Sequence, residues 1–214
     1  MQKEFWLEKW NANQIGFHRD SCHPLLEAHA KDFFKGKKKV FVPLCGASVD
    51  MHFLQGLGLE VVGVELSQLA VEKFFSDAGL KPDITEKEKF KVYRCKDFTL
   101  YCGDLFDFDS FEGIDCIYDR ASIIALPSEI RERYARFINT NLIVDYFLLT
   151  IDFNNDEIGP PFSVPKNKVE NYFKTKFKIE LKETCPQEAS VHTDKIQKLN
   201  ENLFWLTPLE KIND

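Results

Sequence analysis

Two stretches decide the fold: Lys39-Val40-Phe41-Val42-Pro43-Leu44-Cys45-Gly46 and Glu60-Val61-Val62-Gly63-Val64-Glu65. Each is a short apolar, β-rich run that ends in a turn or a polar residue. Between them Val49, Phe53, Leu54 and Leu57 recur at helical spacing and are closed by Gly58. After the second run Ser67 can cap a helix carrying Leu69, Val71, Phe74, Phe75 and Ala78, with Gly79 as its stop. Strand, turn and helix therefore alternate from residue 39 to residue 79.

Working outward, further strands are predicted at 98–102, 114–118 and 146–151, the last two separated by a helix that opens near Pro127-Ser128 and runs through Ile138. Near-continuous apolar strands with intervening helices imply a parallel sheet covered on both faces. At the end, 177–181 and 203–206 pair as an antiparallel edge hairpin, since no crossover helix is evident between them. Before the first strand, 5–10 and 25–34 read as two helices outside the repeat, the second with Pro24 in its first turn; they are expected to lie across the top of the sheet. The expected class is thus α/β, doubly wound, with seven strands.

A length of 214 residues favours one domain spanning 1–214, with 1–36 as a helical lid region within it. The net charge of −6 argues against a protein that grips nucleic-acid phosphates or an anionic membrane surface. No window approaches the ~20 apolar residues of a spanning helix, and the N-terminus has no apolar signal core, so a cytoplasmic protein is expected; a monomer is expected as well, although the sequence carries almost no signal for it. The six cysteines, Cys22, Cys45, Cys95, Cys102, Cys116 and Cys185, contain no Cys-x-x-Cys pair and read as buried reduced thiols. Most of the twenty phenylalanines must be core.

In an open parallel sheet the ligand sits beyond the carboxyl ends of the strands. Four turns lie there. The first, Pro43 to Gly46, offers one glycine for close backbone approach. The second ends in Glu65, nineteen residues after Gly46, where a carboxylate can accept both hydroxyls of a ribose. Dinucleotide and P-loop sites need several glycines to bring backbone N–H groups to phosphates, and only Gly46 is present, so a phosphate-free nucleoside such as S-adenosylmethionine fits better than NAD or ATP. The third turn has Asp104, which either accepts from an adenine amino group or caps the next turn, beside Leu105, which can pack on the ring. The fourth has Arg120, placed to hold a carboxylate by two parallel hydrogen bonds, and Asp119, which can equally pair with it.

These residues form a pattern. Phe5-Trp6-x-x-x-Trp10, Gly16-Phe17-His18, the Pro43-Leu44-Cys45-Gly46 turn, the run ending in Glu65, Tyr118-Asp119-Arg120 and Gly159-Pro160-Pro161-Phe162-x-Val164-Pro165 together resemble the thiopurine S-methyltransferase family from about residue 4 to the end. The resemblance implies a Rossmann-like class I methyltransferase that uses S-adenosylmethionine, releases S-adenosylhomocysteine and methylates thiols, with selenium or tellurium species as further acceptors in bacterial members. It implies that Leu44 contacts the cofactor through its backbone, Glu65 binds the ribose, Asp104 and Leu105 flank the adenine, and Arg120 sits by the methionyl end and the acceptor. Trp6 and Trp10 match residues that close over the cofactor, and Phe17 matches one that touches the acceptor. Aromatic faces attract a sulfonium cation by about 0.5 to 2 kcal/mol when water is excluded; without the resemblance, Trp6 and Trp10 read as one apolar helix face.

Methyl transfer to a thiolate is an in-line displacement that needs alignment and dryness more than proton transfer, so no acid–base residue is required. Arg120 or His18 can lower the pKa of the acceptor thiol, although His18 reads equally as a loop histidine. His18, Cys22 and His23 lack a fourth ligand of suitable spacing, and no metal is expected. No arginine follows Arg136, and 189–193, where vertebrate relatives carry one facing the acceptor, has none; this favours a small neutral thiol. Two other readings remain at this stage: a non-catalytic sensor of S-adenosylmethionine or S-adenosylhomocysteine, and a nicotinamide oxidoreductase, which the missing glycines disfavour.

Overall fold

The computed structural model describes residues 3–16, 18–155, 158–187 and 199–212. The chain contacts divide it into two compact units, 1–116 and 117–214.

The first unit opens with helices α1 (Lys3–Asn11) and α2 (Pro24–Phe33). Its strands are β1 (Lys39–Pro43), β2 (Glu60–Glu65), β3 (Asp83–Lys87), β4 (Phe90–Cys95) and β5 (Phe98–Cys102), with α3 (Asp50–Gly56) and α4 (Gln68–Asp77) between the first three. Their spatial order is β3-β4-β5-β2-β1. The three apolar runs of the sequence are the three parallel strands: β2 lies between β1 and β5, with Val61 opposite both Val40 and Phe98. Being buried on both faces, they show no alternation.

Aromatic side chains fill both faces. On one, His52 of α3 stacks on Phe74 of α4 at 4.5 Å, and both meet Phe98. On the other, Phe108 stacks on Phe41 at 5.2 Å and meets Tyr101 edge-on. Ser67 caps α4 by accepting from the Ala70 N–H. His23 caps α2 through its ring Nδ1, which accepts from the Leu25 N–H, while its own N–H is held by Asp50. The ring that resembled a metal ligand thus has a structural partner.

The second unit holds β6 (Cys116–Asp119), which begins at its boundary, then α5 (Ser122–Ala125), α6 (Ser128–Asn141), β7 (Asp145–Phe153), α7 (Lys166–Phe173), β8 (Phe177–Gln187) and β9 (Leu199–Pro208). Its strand order is β6-β7-β9-β8, and β9 is antiparallel to both neighbours. The expected terminal hairpin is therefore present and longer than its apolar centre suggested.

The described residues contain nine strands rather than seven. The two additions are the β3–β4 hairpin, joined antiparallel to β5, so the parallel strands β1, β2 and β5 are extended at one edge by an antiparallel pair. β3 is exposed throughout, so Asp-Ile-Thr-Glu-Lys carries no apolar signal. Of the six cysteines, all free, only Cys45 and Cys116 are buried, and the other four are partly exposed. No helix among the described residues is long and apolar enough to cross a membrane.

Gly63 shows how tightly β2 is packed. A Cβ there would lie 2.6 Å from Leu100 Cδ2 and 2.7 Å from Cys45 Sγ. Both neighbours are buried, so Gly63→Ala is expected to cost about 1 to 3 kcal/mol as overpacking, measured as a lowered thermal midpoint; an unchanged midpoint would contradict the packing described.

Candidate active site

The site is built where β1, β2 and β5 end. Leu44, at the turn after β1, has φ +44°, a left-handed conformation uncommon outside glycine, and Gly46 follows at φ +55°. This backbone path turns the Gly46 N–H toward the end of β2, where Glu65 Oε2 accepts from it at 2.9 Å. The other carboxylate oxygen, Oε1, accepts from the Ser67 N–H at 2.8 Å. The Glu65 carbonyl in turn accepts from the Gly103 N–H at 2.8 Å, which ties in the turn after β5. One buried residue therefore binds three of the ligand-facing turns together.

Burial pushes the Glu65 carboxyl above the usual carboxylate range, and the Ser67, Gly46 and Leu66 N–H groups pull it partly back. Two of those donors lie at hydrogen-bond distance, one on each oxygen, and a carboxylate oxygen has two lone pairs, so each oxygen keeps acceptor capacity for a further donor. Two cysteines stand near this charge. Burial and the Glu65 charge hold the Cys45 thiol well above its ordinary value, and push Cys102 up to about 11. Both stay as unreactive thiols at neutral pH, because the thiolate is the nucleophile.

Helix α1 closes on this floor. Trp10 is buried, and its ring carbon Cζ2 lies 3.3 Å from where a Gly46 Cβ would be, so the glycine admits the close approach of the indole. Trp6, one turn earlier on the same helix, is half-buried and meets Phe5 edge-on at 5.2 Å. At the third turn Asp104 is a cap: its Oδ1 accepts from the Phe106 N–H at 3.0 Å. Its Oδ2 pairs with Lys3 of α1 at 2.6 Å, a contact with no sequence signal. Leu105 beside it is buried. Trp10, Leu44, Glu65, Asp104 and Leu105 are thus gathered at one end of the first unit, with Trp6 on the helix above. Phe17 and the arginine-free stretch 189–193 lie outside the described residues.

Arg120 is carried by the second unit, one residue past β6. Its neighbour Asp119 is fully buried and accepts from the hydroxyls of Tyr134 and Tyr146 at 2.7 Å each and from the Ser122 N–H at 2.8 Å. Burial raises the Asp119 carboxyl and lifts both tyrosines well above their ordinary values, so the phenols remain protonated donors.

A groove of about 650 Å³, lined among others by Lys39, Glu60, Arg94, Asp97 and Glu112, lies at the other ends of the same parallel strands. Its charges balance, and Lys39 and Glu60 pair at 3.0 Å. It is separate from the turns.

Residues 1–208 match the family described as Thiopurine S-methyltransferase (TPMT). The chain belongs to the thiopurine S-methyltransferase family. It is 42% identical over 188 residues to the thiopurine S-methyltransferase of Pseudomonas fluorescens (strain Pf0-1), covering 86% of this chain and 87% of that one. It is 37% identical over 215 residues to the probable thiopurine S-methyltransferase of Yarrowia lipolytica (strain CLIB 122 / E 150), covering 94% and 100%. Among solved structures, a SAM-dependent methyltransferase from Anabaena variabilis ATCC 29413 shares the fold, with TM-score 0.65, 14% identity and coverage of 96% and 94%. The expected α/β Rossmann-like class is therefore the observed one. This thiopurine S-methyltransferase family member is an S-adenosylmethionine-dependent enzyme that methylates thiol sulfur.

The Glu65 arrangement suits that cofactor, because its two oxygens can receive the two ribose hydroxyls while the bonds to Gly46 and Ser67 hold the carboxylate in place. Glu65→Ala is expected to weaken S-adenosylhomocysteine binding by about 1.5 to 3 kcal/mol in calorimetry; unchanged affinity would contradict the assignment. Hydroxyl donors favour the ionised carboxylate, so binding lowers the raised Glu65 pKa. Affinity should therefore be constant above that value and fall as pH drops through it, by at most about tenfold per unit. A wild-type profile that falls, beside a flat Glu65→Gln profile, is the expected pair of curves.

Proposed function

We propose that this enzyme transfers the methyl group to a small neutral thiol, aromatic or aliphatic, as a cytoplasmic monomer whose whole chain acts as one methyltransferase domain. The observation that carries the proposal is the buried Glu65 carboxylate bridging the Gly46 and Ser67 N–H groups at 2.9 and 2.8 Å. In this reading Glu65 takes the ribose, the Leu44 backbone and the Trp6 and Trp10 rings enclose the cofactor, and Asp104 and Leu105 border the adenine. Arg120 holds the methionyl carboxylate beside the acceptor, and Phe17 touches the acceptor.

When bound, S-adenosylmethionine supplies a methyl group on an electrophilic sulfonium. The chain's own residues align and dry the site. Trp10 covers the first turn, and aromatic faces tolerate a cation once water is removed. The Arg120 guanidinium favours the ionised form of an acceptor thiol, and so increases the share of the reactive thiolate at neutral pH. Cys45 and Cys102 do not compete for the methyl group, since their thiols stay protonated. No side chain is asked to relay a proton in the displacement itself.

The absence of any arginine after Arg136 supports a neutral acceptor over an anionic purine. Incubation with labelled S-adenosylmethionine and a panel of aliphatic thiols, aromatic thiols, a thiopurine, and selenium and tellurium species tests this. Turnover of neutral thiols with higher kcat/KM than carboxylated ones is expected; preference for the anionic members would contradict it, and tight cofactor binding without turnover of any member would overturn the enzymatic reading. Phe17→Ala is expected to raise the KM of the acceptor and spare cofactor affinity, and the reverse pattern would place this ring in the cofactor pocket.

A further inference from the structure

Asp119, the residue before Arg120, accepts three hydrogen bonds within the second unit. Its Oδ1 accepts from the Ser122 N–H at 2.8 Å, which closes a turn around Arg120 and Ala121. Its Oδ2 accepts from the Tyr134 hydroxyl of α6 and the Tyr146 hydroxyl of β7, each at 2.7 Å, and those hydroxyls lie 3.1 Å apart. The two oxygens are therefore held from opposite sides, one by its own turn and one by two packed elements. All of these groups are buried: Asp119, Ser122, Tyr134 and Tyr146 are each 0% exposed.

The far side of the turn is fixed as well. The Ile124 carbonyl of α5 accepts from the Phe162 N–H at 2.7 Å. The Phe162 ring packs on Gly159, leaving no room for a Cβ there, and lies 5.5 Å from the Arg131 guanidinium of α6. Arg131 also donates to the Ser163 carbonyl at 3.2 Å. The turn that carries Arg120 is thus closed by the Asp119–Ser122 bond, and the helix that follows it is tied at Ile124 to Phe162.

We propose that Asp119, Tyr134 and Tyr146 form a positioning device for Arg120, holding its backbone where the guanidinium can meet the methionyl carboxylate and the acceptor. This rests on the reading of Arg120 given above. Aligned displacement is sensitive to small errors: a shift of 1 Å in a positioning group can cost on the order of 100-fold in rate. A packed apolar cluster of the same volume would serve stability alone at least as well as a buried carboxylate, because removing a charge from water is costly. The cluster supplies a fixed direction, which an apolar cluster would not.

A double-mutant cycle separates positioning from mere support. Tyr146→Phe and Tyr134→Phe each remove one hydroxyl and keep the ring, leaving Asp119 one tyrosine donor, so either variant serves if the other does not fold. Each is made alone and with Arg120→Ala, and kcat/KM for a reactive thiol is measured well below every thermal midpoint. Alone, each phenylalanine is expected to lower kcat/KM by about 3- to 30-fold, part of the loss that misplacement can cause. With Arg120→Ala already present, the same change should lower it less than about twofold, because coupled residues are not additive. Equal losses in both backgrounds, or no loss in either, would overturn the inference while leaving the Arg120 role intact. An Arg120→Ala enzyme with unchanged kcat/KM and cofactor affinity would instead overturn the Arg120 reading, and the positioning role with it.

Discussion

A buried carboxylate is an expensive object, and the first unit is arranged around one. Glu65 sits at the end of β2 and accepts from the backbone of two turns while its own carbonyl receives the N–H of a third. Without those donors the desolvation of the acid would not be compensated; without the acid the turns after β1 and β2 would lose the group that draws them together. The positive φ of Leu44 belongs to the same constraint, since that backbone path turns the Gly46 amide toward the carboxylate. The close packing of Cys45 and Leu100 on Gly63 holds β2 flat against its neighbours just below the site.

The chemistry follows from that frame. Transfer of a methyl group between sulfur atoms asks little of proton donors and much of alignment and dryness. In the site proposed above, the buried floor, the indole of Trp10 over the glycine and the Lys3–Asp104 pair at the edge would supply that enclosure. An exposed ion pair of this kind is worth little on its own, so it is the packing of α1, more than its charge, that covers the turn. The same desolvation that raises Glu65 also raises the thiols of the neighbouring Cys45 and Cys102.

Strands β1, β2 and β5 were legible to the residue, because strands buried on both faces read as uninterrupted apolar runs bounded by turn residues. Helix α4 was legible from a different signal, an apolar face at helical spacing with Ser67 and Gly79 marking its ends. The β3–β4 hairpin was not, since β3 is solvent-exposed along its whole length and has no period to detect. Helices α5 and α7 are short, and their apolar residues are too few to set a period. Glu65 could be found from its distance to Gly46 alone. The cluster around Asp119 could not, because Tyr134 and Tyr146 occupy apolar positions of α6 and β7, and a sequence pattern does not reveal that their hydroxyls converge. Lys3 and Asp104 are a hundred residues apart, and nothing in either neighbourhood announces the other.

The most direct measurement is a crystal structure of the enzyme with S-adenosylhomocysteine. The account predicts both ribose hydroxyls on the Glu65 carboxylate, with its bonds to the Gly46 and Ser67 amides retained and the indole of Trp10 over the ligand. A nucleoside bound away from the β2 terminus, or one whose sugar is held by another group while Glu65 stays engaged only by backbone, would contradict it.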